Sequence, residues 1–179
     1  AAFSIPFIGV VPAVKPAAGM TRNGRIGVLA TPQTVRNDYL TGLINDFAAG
    51  LVVTRIAAPA LRDLVEERFF SASPEEKRSV IADAAAAVRD AGVDTVVLAC
   101  THFLHVDTEL GDVLGKNVLI IDSREGVINQ LGRVLEKEKL SAHVKPGPNL
   151  FYVTGADPVQ DRYRSFATAF GLGVGGTLS

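Results

Sequence analysis

Short runs rich in Val, Ile and Leu recur along the chain at Ile5–Val11, Arg25–Ala30, Leu51–Ile56, Thr95–Ala99, Asn117–Asp122 and Leu150–Thr154. Apolar and polar positions do not alternate within them as they would in a sheet with one wet face, so the runs predict strands covered on both faces. Helical spacing fills the intervals at Thr34–Ala49, Ala58–Phe70, Phe103–Leu114, Arg124–Lys139 and Asp157–Phe170. The clearest helix is Pro74–Ala91. Ser73 can cap it, Pro74 suits its first turn, Glu75 and Glu76 suit its positive end, and Gly92 stops it. Val80, Ile81, Ala84, Ala85 and Val88 form one apolar stripe along it. Alternation of strand and helix over nearly the whole length is the pattern of an α/β protein with parallel sheets. Ser141–Asn149, with Pro146 and Pro148, reads as a linker.

Composition narrows the classes of function. The 179 residues (18.9 kDa) suit one domain or two small lobes. A hydrophobic content of 47%, charged content of 21% and mean hydropathy of +0.25 exclude a disordered segment. Eighteen basic residues face 19 acidic ones, for a net charge of -1, and no basic block occurs, so neither nucleic acid nor an anionic membrane is an expected partner. The most apolar N-terminal stretch, Phe3–Val14, is broken by Pro6 and Pro12 and ends at Lys15, too short to span a bilayer and without the basic flank of a signal peptide. Cys100 is the sole cysteine, which precludes an internal disulfide and fits a reducing cytoplasm. Met20 is the sole methionine, so residue 1 is not expected to be an initiator, and the sequence is expected to begin in mid-reading-frame or after processing, with something upstream missing.

Two glycine-rich stretches match the letters of nucleotide motifs but not their context. Gly171–Gly176 follows a helical pattern instead of leading from a strand into a helix, and reads as a flexible tail; Gly111–Lys116 lacks the phosphate-loop spacing. One cysteine and three histidines offer no metal-ligand spacing. No metal, nucleotide or pyridoxal cofactor is expected.

The chemistry concentrates at Thr95-Val-Val-Leu-Ala-Cys-Thr-His-Phe103. An apolar strand runs straight into Cys100, Thr101 and His102 and then a helical pattern. This places a thiol at the carboxyl end of a parallel strand, where open α/β sheets bind ligands. A helix N-terminus and a neighbouring imidazole would both favour the thiolate. The alternative is a buried structural cysteine. By themselves Thr31 and Thr34 also fit a strand end and a helix N-cap, and Glu66 fits a solvated helix position. His105 and His143 read as surface residues.

Ala99-Cys-Thr-His-Phe103 resembles the second cysteine motif of the glutamate racemases, G-C-T-H-[YF]-P, and the resemblance extends over most of the chain. Arg25-Ile-Gly-Val-Leu-Ala-Thr-Pro-Gln-Thr-Val35 is similar to that family's G-V-L-A-T-x-x-T-V motif. Pro59-Ala-Leu-Arg-Asp-Leu-Val-Glu66 is similar to its C-P-x-L-V-x-x-[IV]-E stretch. Ile8–Pro16 resembles the segment that crosses between its two lobes, and Leu119-Ile-Ile-Asp-Ser123 the strand that re-enters the first. There are departures too: Ala99 replaces Gly, Leu104-His105 replaces Pro-Leu, and Ala58 stands where Cys is common. The family's N-terminal D-S-G-x-G-G and C-N-T-[AS] motifs do not occur in this chain.

The resemblance implies a parallel-sheet, Rossmann/flavodoxin-like two-lobe racemase fold, with the second lobe complete at 13–117 and the first partial at 1–12 and 118–179. It implies cofactor-independent interconversion of L- and D-glutamate, which supplies D-glutamate for peptidoglycan in the cytoplasm, and leaves a homodimer open. One cysteine thiolate removes the α-proton and a second thiol returns one from the opposite face. Cys100 would be one of that pair, with His102 orienting it and Glu66 supporting the histidine. Thr31, Thr34 and Thr101 would line the substrate site. A chain with a single cysteine is expected to racemise negligibly alone. A racemase for aspartate or another amino acid, or a non-catalytic small-molecule-binding domain, are the alternatives.

Overall fold

The computed structural model describes residues 5–140 and 147–178. Four parallel strands, β1 (Arg25–Ala30), β2 (Val52–Ala57), β3 (Thr95–Leu98) and β4 (Leu119–Ile121), form a sheet in the order β2-β1-β3-β4. The central strands are buried on both faces, as their uninterrupted apolar runs predict. Ile26, Val28 and Val97 point to one side, into a cluster with α1 (Val14–Met20) and α3 (Asp38–Phe47). Leu29, Val96 and Leu98 point to the other, against α4 (Pro59–Arg68), α5 (Pro74–Asp90) and α6 (Asp107–Leu114). Gly27 lies where a β-carbon would come within 3.3 Å of Val93 and Ile56, so its lack of a side chain lets this layer close on the sheet.

The expected Pro74–Ala91 helix forms as α5. Ser73 Oγ accepts from the Glu76 amide at 3.1 Å, Gly92 leaves the helix at φ +62°, and Ile81, Ala84, Ala85 and Val88 are buried. Two expected helices are each divided. Thr34–Ala49 becomes α2 (Pro32–Val35) and α3, because Thr31 caps the first and Asn37 the second through the Tyr39 amide. Phe103–Leu114 becomes a 3₁₀ turn, Thr101–His105, followed by α6.

Two expectations are corrected and one helix is added. Ile5–Val11 forms no strand, since Pro6 and Pro12 cannot donate to a ladder. The helix α1, in which Val14 and Ala17 are buried, was not expected. Gly173–Leu178 is no flexible tail: it is strand β6, parallel to β5 (Leu150–Thr154) and joined to it through α8 (Asp161–Ala169). The Tyr152 ring covers Gly175, where a β-carbon would collide with it, so the glycines that suggested mobility make room for a cross-strand aromatic ring. The expected linker falls largely on 141–146, outside the described residues, as does His143.

The four-stranded sheet extends through Ile121, past the expected lobe boundary at 117. After β4 the chain continues as α7 (Arg124–Lys137). The β5–α8–β6 unit meets the larger layer at Phe69 and Phe70, just after α4, which pack on Phe166 of α8 with ring centroids 6.0 and 4.9 Å apart.

Candidate active site

The strand order places β1 beside β3 at the centre of the sheet, while the segments that follow them turn to opposite faces. This divergence opens a crevice at their carboxyl ends, where open α/β sheets bind ligands. Thr31 follows β1 directly, and Cys100 follows β3 after Ala99, whose amide donates to the Leu29 carbonyl at 2.9 Å. The resulting cleft, about 740 Å³, is lined by Thr31, Thr34, Cys100, Thr101 and His102, five of the six site residues expected from sequence. Glu66, the sixth, lies behind His102 and does not line it.

Phe103 is fully buried and anchors the 3₁₀ turn in the core, which leaves Thr101 and His102 facing the cleft. Cys100 Sγ lies 3.3 Å from His102 Nδ1, and His102 Nε2 lies 2.8 Å from Glu66 Oε2. A carboxylate can only accept, so Nε2–H donates to Glu66 and Nδ1 is left to accept from the thiol. Tyr163 donates its phenol to Glu66 Oε1 at 2.9 Å. Burial favours the neutral acid of Glu66, but hydrogen bonds from His102 and Tyr163, with the Arg162 guanidinium nearby, hold its carboxyl below the usual range.

The thiol differs from its expected state. Partial burial pushes Cys100 above the ordinary thiol range, against the opposing influence of the His102 and Phe103 amides and the Arg62 guanidinium. The element after Cys100 is a five-residue 3₁₀ turn, which carries less dipole than the helix that was expected there. The resting thiol is therefore protonated at neutral pH, with a hydrogen-bond acceptor already in place.

Thr31 and Thr34 hydroxyls lie 3.0 Å apart, and Thr31 Oγ1 also caps α2, so their structural and site-lining readings coexist. His105, expected at the surface, is partly buried. It packs among Phe69, Phe166 and Phe170, and burial, followed by the charge of His102, lowers its pKa.

Sequence reasoning missed Arg36 and Arg62 on the cleft wall and Arg162 and Tyr163 behind Glu66. Arg62 was legible, because it precedes Glu66 by one helical turn on α4. Tyr163 was not, since 97 positions separate it from Glu66. Among the described residues no cluster of three His, Cys, Asp or Glu could hold a metal, and no helix is long and apolar enough to cross a membrane.

The fold is an open parallel α/β sheet with a thiol, an imidazole and a carboxylate in series at its central crevice. The chain belongs to the Asp/Glu/Hydantoin racemase family, whose model matches residues 1–131. It is 39% identical over 147 residues to a glutamate racemase of Shewanella denitrificans, covering 82% of this chain and 52% of that protein. It is 36% identical over 177 residues to that of Treponema pallidum, covering 98% and 65%. Escherichia coli glutamate racemase, solved with L-glutamate, superposes with a TM-score of 0.80 at 29% identity over 96% of this chain and 64% of that one. A Bacillus anthracis isoform gives 0.76 at 26% identity, over 97% and 65%. The chain thus spans about half to two thirds of the length of these relatives.

Proposed function

We propose that this chain forms the Cys100-bearing part of a cofactor-independent glutamate racemase that supplies D-glutamate for peptidoglycan in the cytoplasm. The observation that carries the proposal is the unbroken series Cys100 Sγ, His102, Glu66 opening on the crevice. Inverting an α-carbon requires the Cα–H bond to break on one face and a new one to form on the other, so two proton-handling groups must flank a planar carbanion. Cys100 is one of them. In one direction its thiol, kept protonated by burial, gives its proton to the carbanion. In the other its thiolate takes the α-proton, and His102 with Glu66 behind it stabilises that thiolate. The second thiol lies outside these 179 residues, which contain one cysteine. Arg36 and Arg62 give the cleft a positive wall suited to substrate carboxylates, and Thr31, Thr34 and Thr101 offer hydroxyls to the amino-acid head group.

The test uses a protein of full family length that contains this chain, in deuterated water, with NMR for α-proton exchange and circular dichroism for inversion. Glutamate of either hand should exchange and invert. Cys100→Ser should lose at least about a thousandfold in rate, as expected on removing one of a cooperating pair. The 179 residues alone should invert glutamate negligibly. Unchanged turnover in the Cys100 variant, or faster inversion of aspartate than of glutamate, would refute the proposal.

A further inference from the structure

Behind the series described above, a second set of contacts reaches Glu66 from the β5–α8–β6 unit, outside the residues that the family model matches. Arg162 and Tyr163 occupy the first turn of α8. Tyr163 donates its phenol to Glu66 Oε1 at 2.9 Å, Arg162 Nη2 donates to the Tyr163 oxygen at 3.3 Å, and the same guanidinium stands over the Tyr163 ring at 4.8 Å. Arg162 Nη2 also approaches Glu66 Oε1 at 4.0 Å, and its Nη1 pairs with Glu67, the next residue on α4.

A glutamate side chain has three rotatable bonds, and a single contact to His102 would leave it several rotamers. With Oε1 held by Tyr163, Oε2 faces His102 Nε2 in one orientation. We infer that Tyr163, itself oriented by Arg162, is a positioning residue that locks Glu66 against His102 and so governs how readily Cys100 ionises. This inference rests on the reading of Cys100, His102 and Glu66 as an acid/base series. It assigns the C-terminal unit a task in the site, although none of its residues lines the cleft.

The other charged or titratable groups around the series are Arg62 on α4, Arg36 across the cleft, His105 on the 3₁₀ turn, and Asp107 at the start of α6. None of them contacts the Glu66 carboxylate. Removing the Tyr163 hydroxyl therefore acts on the thiol through Glu66 alone.

The experiment measures the pH dependence of Cys100 alkylation by iodoacetamide in the full chain, with no substrate present. Glu66→Gln removes the carboxylate that fixes His102 with Nδ1 turned to Cys100 as an acceptor, so the thiol midpoint should rise. Tyr163→Phe should raise it by a smaller amount, of the order of half a pH unit. On the Glu66→Gln background Tyr163→Phe should add nothing, because its effect has no other route. Arg162→Gln should act in the same direction and likewise vanish on that background, and it serves as the test should Tyr163→Phe fail to fold. A Tyr163→Phe shift of equal size with and without Glu66, or no shift at all where Glu66→Gln gives one, would overturn the inference. No shift from Glu66→Gln itself would remove the series on which it rests. Whether glutamate is the substrate is read separately, by exchange in deuterated water.

Discussion

His102 Nε2 and Glu66 Oε2 meet at 2.8 Å although 36 positions separate the two residues, and this contact sets the direction of the hydrogen bond between His102 and Cys100. With Nε2–H committed to the carboxylate, Nδ1 faces Cys100 as an acceptor, and the thiol has one proton partner of defined polarity. The contact is two-thirds or more shielded from solvent on both side chains, so it is screened less than a surface pair.

The charge of Arg62 opposes the effect of burial on Cys100. Arg62→Gln should raise the alkylation midpoint of Cys100 by about half a pH unit, the scale of one partly solvated charge. The difference from wild type should shrink as salt is added. A midpoint that does not move at low ionic strength would contradict this role.

The Phe103 side chain contributes through packing. It is fully buried among the α4, α5 and α6 side chains, and it holds Thr101 and His102 toward the cleft. Phe103→Ala should destabilise the chain by about 3–5 kcal/mol in urea unfolding, from lost burial plus a cavity. A loss under about 1 kcal/mol would show that the site collapses around the gap.

Asp94 ties the turn after α1 to the start of β3. It accepts from Thr21 Oγ1 at 2.6 Å and from the Arg22 and Asn23 amides at 2.7 Å. Burial opposes its ionisation, but these bonds and one from Thr95 hold its pKa at about 2, against an ordinary 3.8. A carboxyl depressed on folding stabilises the fold above its unfolded pKa and loses that contribution as pH falls through the folded value. Asp94→Asn should therefore destabilise by about 1 kcal/mol at pH 7, given its partial exposure. It should also flatten the fall in stability between about pH 4 and pH 2. A parallel acid-unfolding curve in the variant would exclude Asp94 as a source of that fall.

His105 carries a pH dependence of its own. Its pKa is lowered by burial among the phenylalanines, then by His102, so the neutral ring contributes stability above the ordinary value of 6.5 that is lost as pH falls through the folded one. His105→Phe should remove the loss of stability that begins below about pH 6.5, read as the urea midpoint at successive pH values. An unchanged slope in the variant would assign that loss to other groups.

The limits of reading the chain show in particular elements. The ends of α5 were legible because Ser73, Pro74 and Gly92 act locally, within a turn of the residues they cap. The break after Val35 was not, because a continuous helical spacing gives no sign that Asn37 caps a second start, and the break after His105 has no side-chain cap to mark it. β6 was misread because the value of Gly175 lies in the Tyr152 ring across from it, on another strand. His105 was placed at the surface for the same reason: its aromatic neighbours come from α8 and from the end of α4.

Local order in the sequence determined the alternation of strand and helix, the apolar faces, and the placing of Cys100, Thr101 and His102 at a strand end, because periodicity, capping and turn residues act over a few positions. The tertiary structure alone decided that β1 and β3 are neighbours, so that Thr31 and Cys100 share one crevice. It alone brought Tyr163 to Glu66 and Glu66 to His102. It also set the ionisation of the Cys100 thiol, since desolvation depends on everything packed around a group, and neighbours from distant parts of the chain outweigh the few residues on either side.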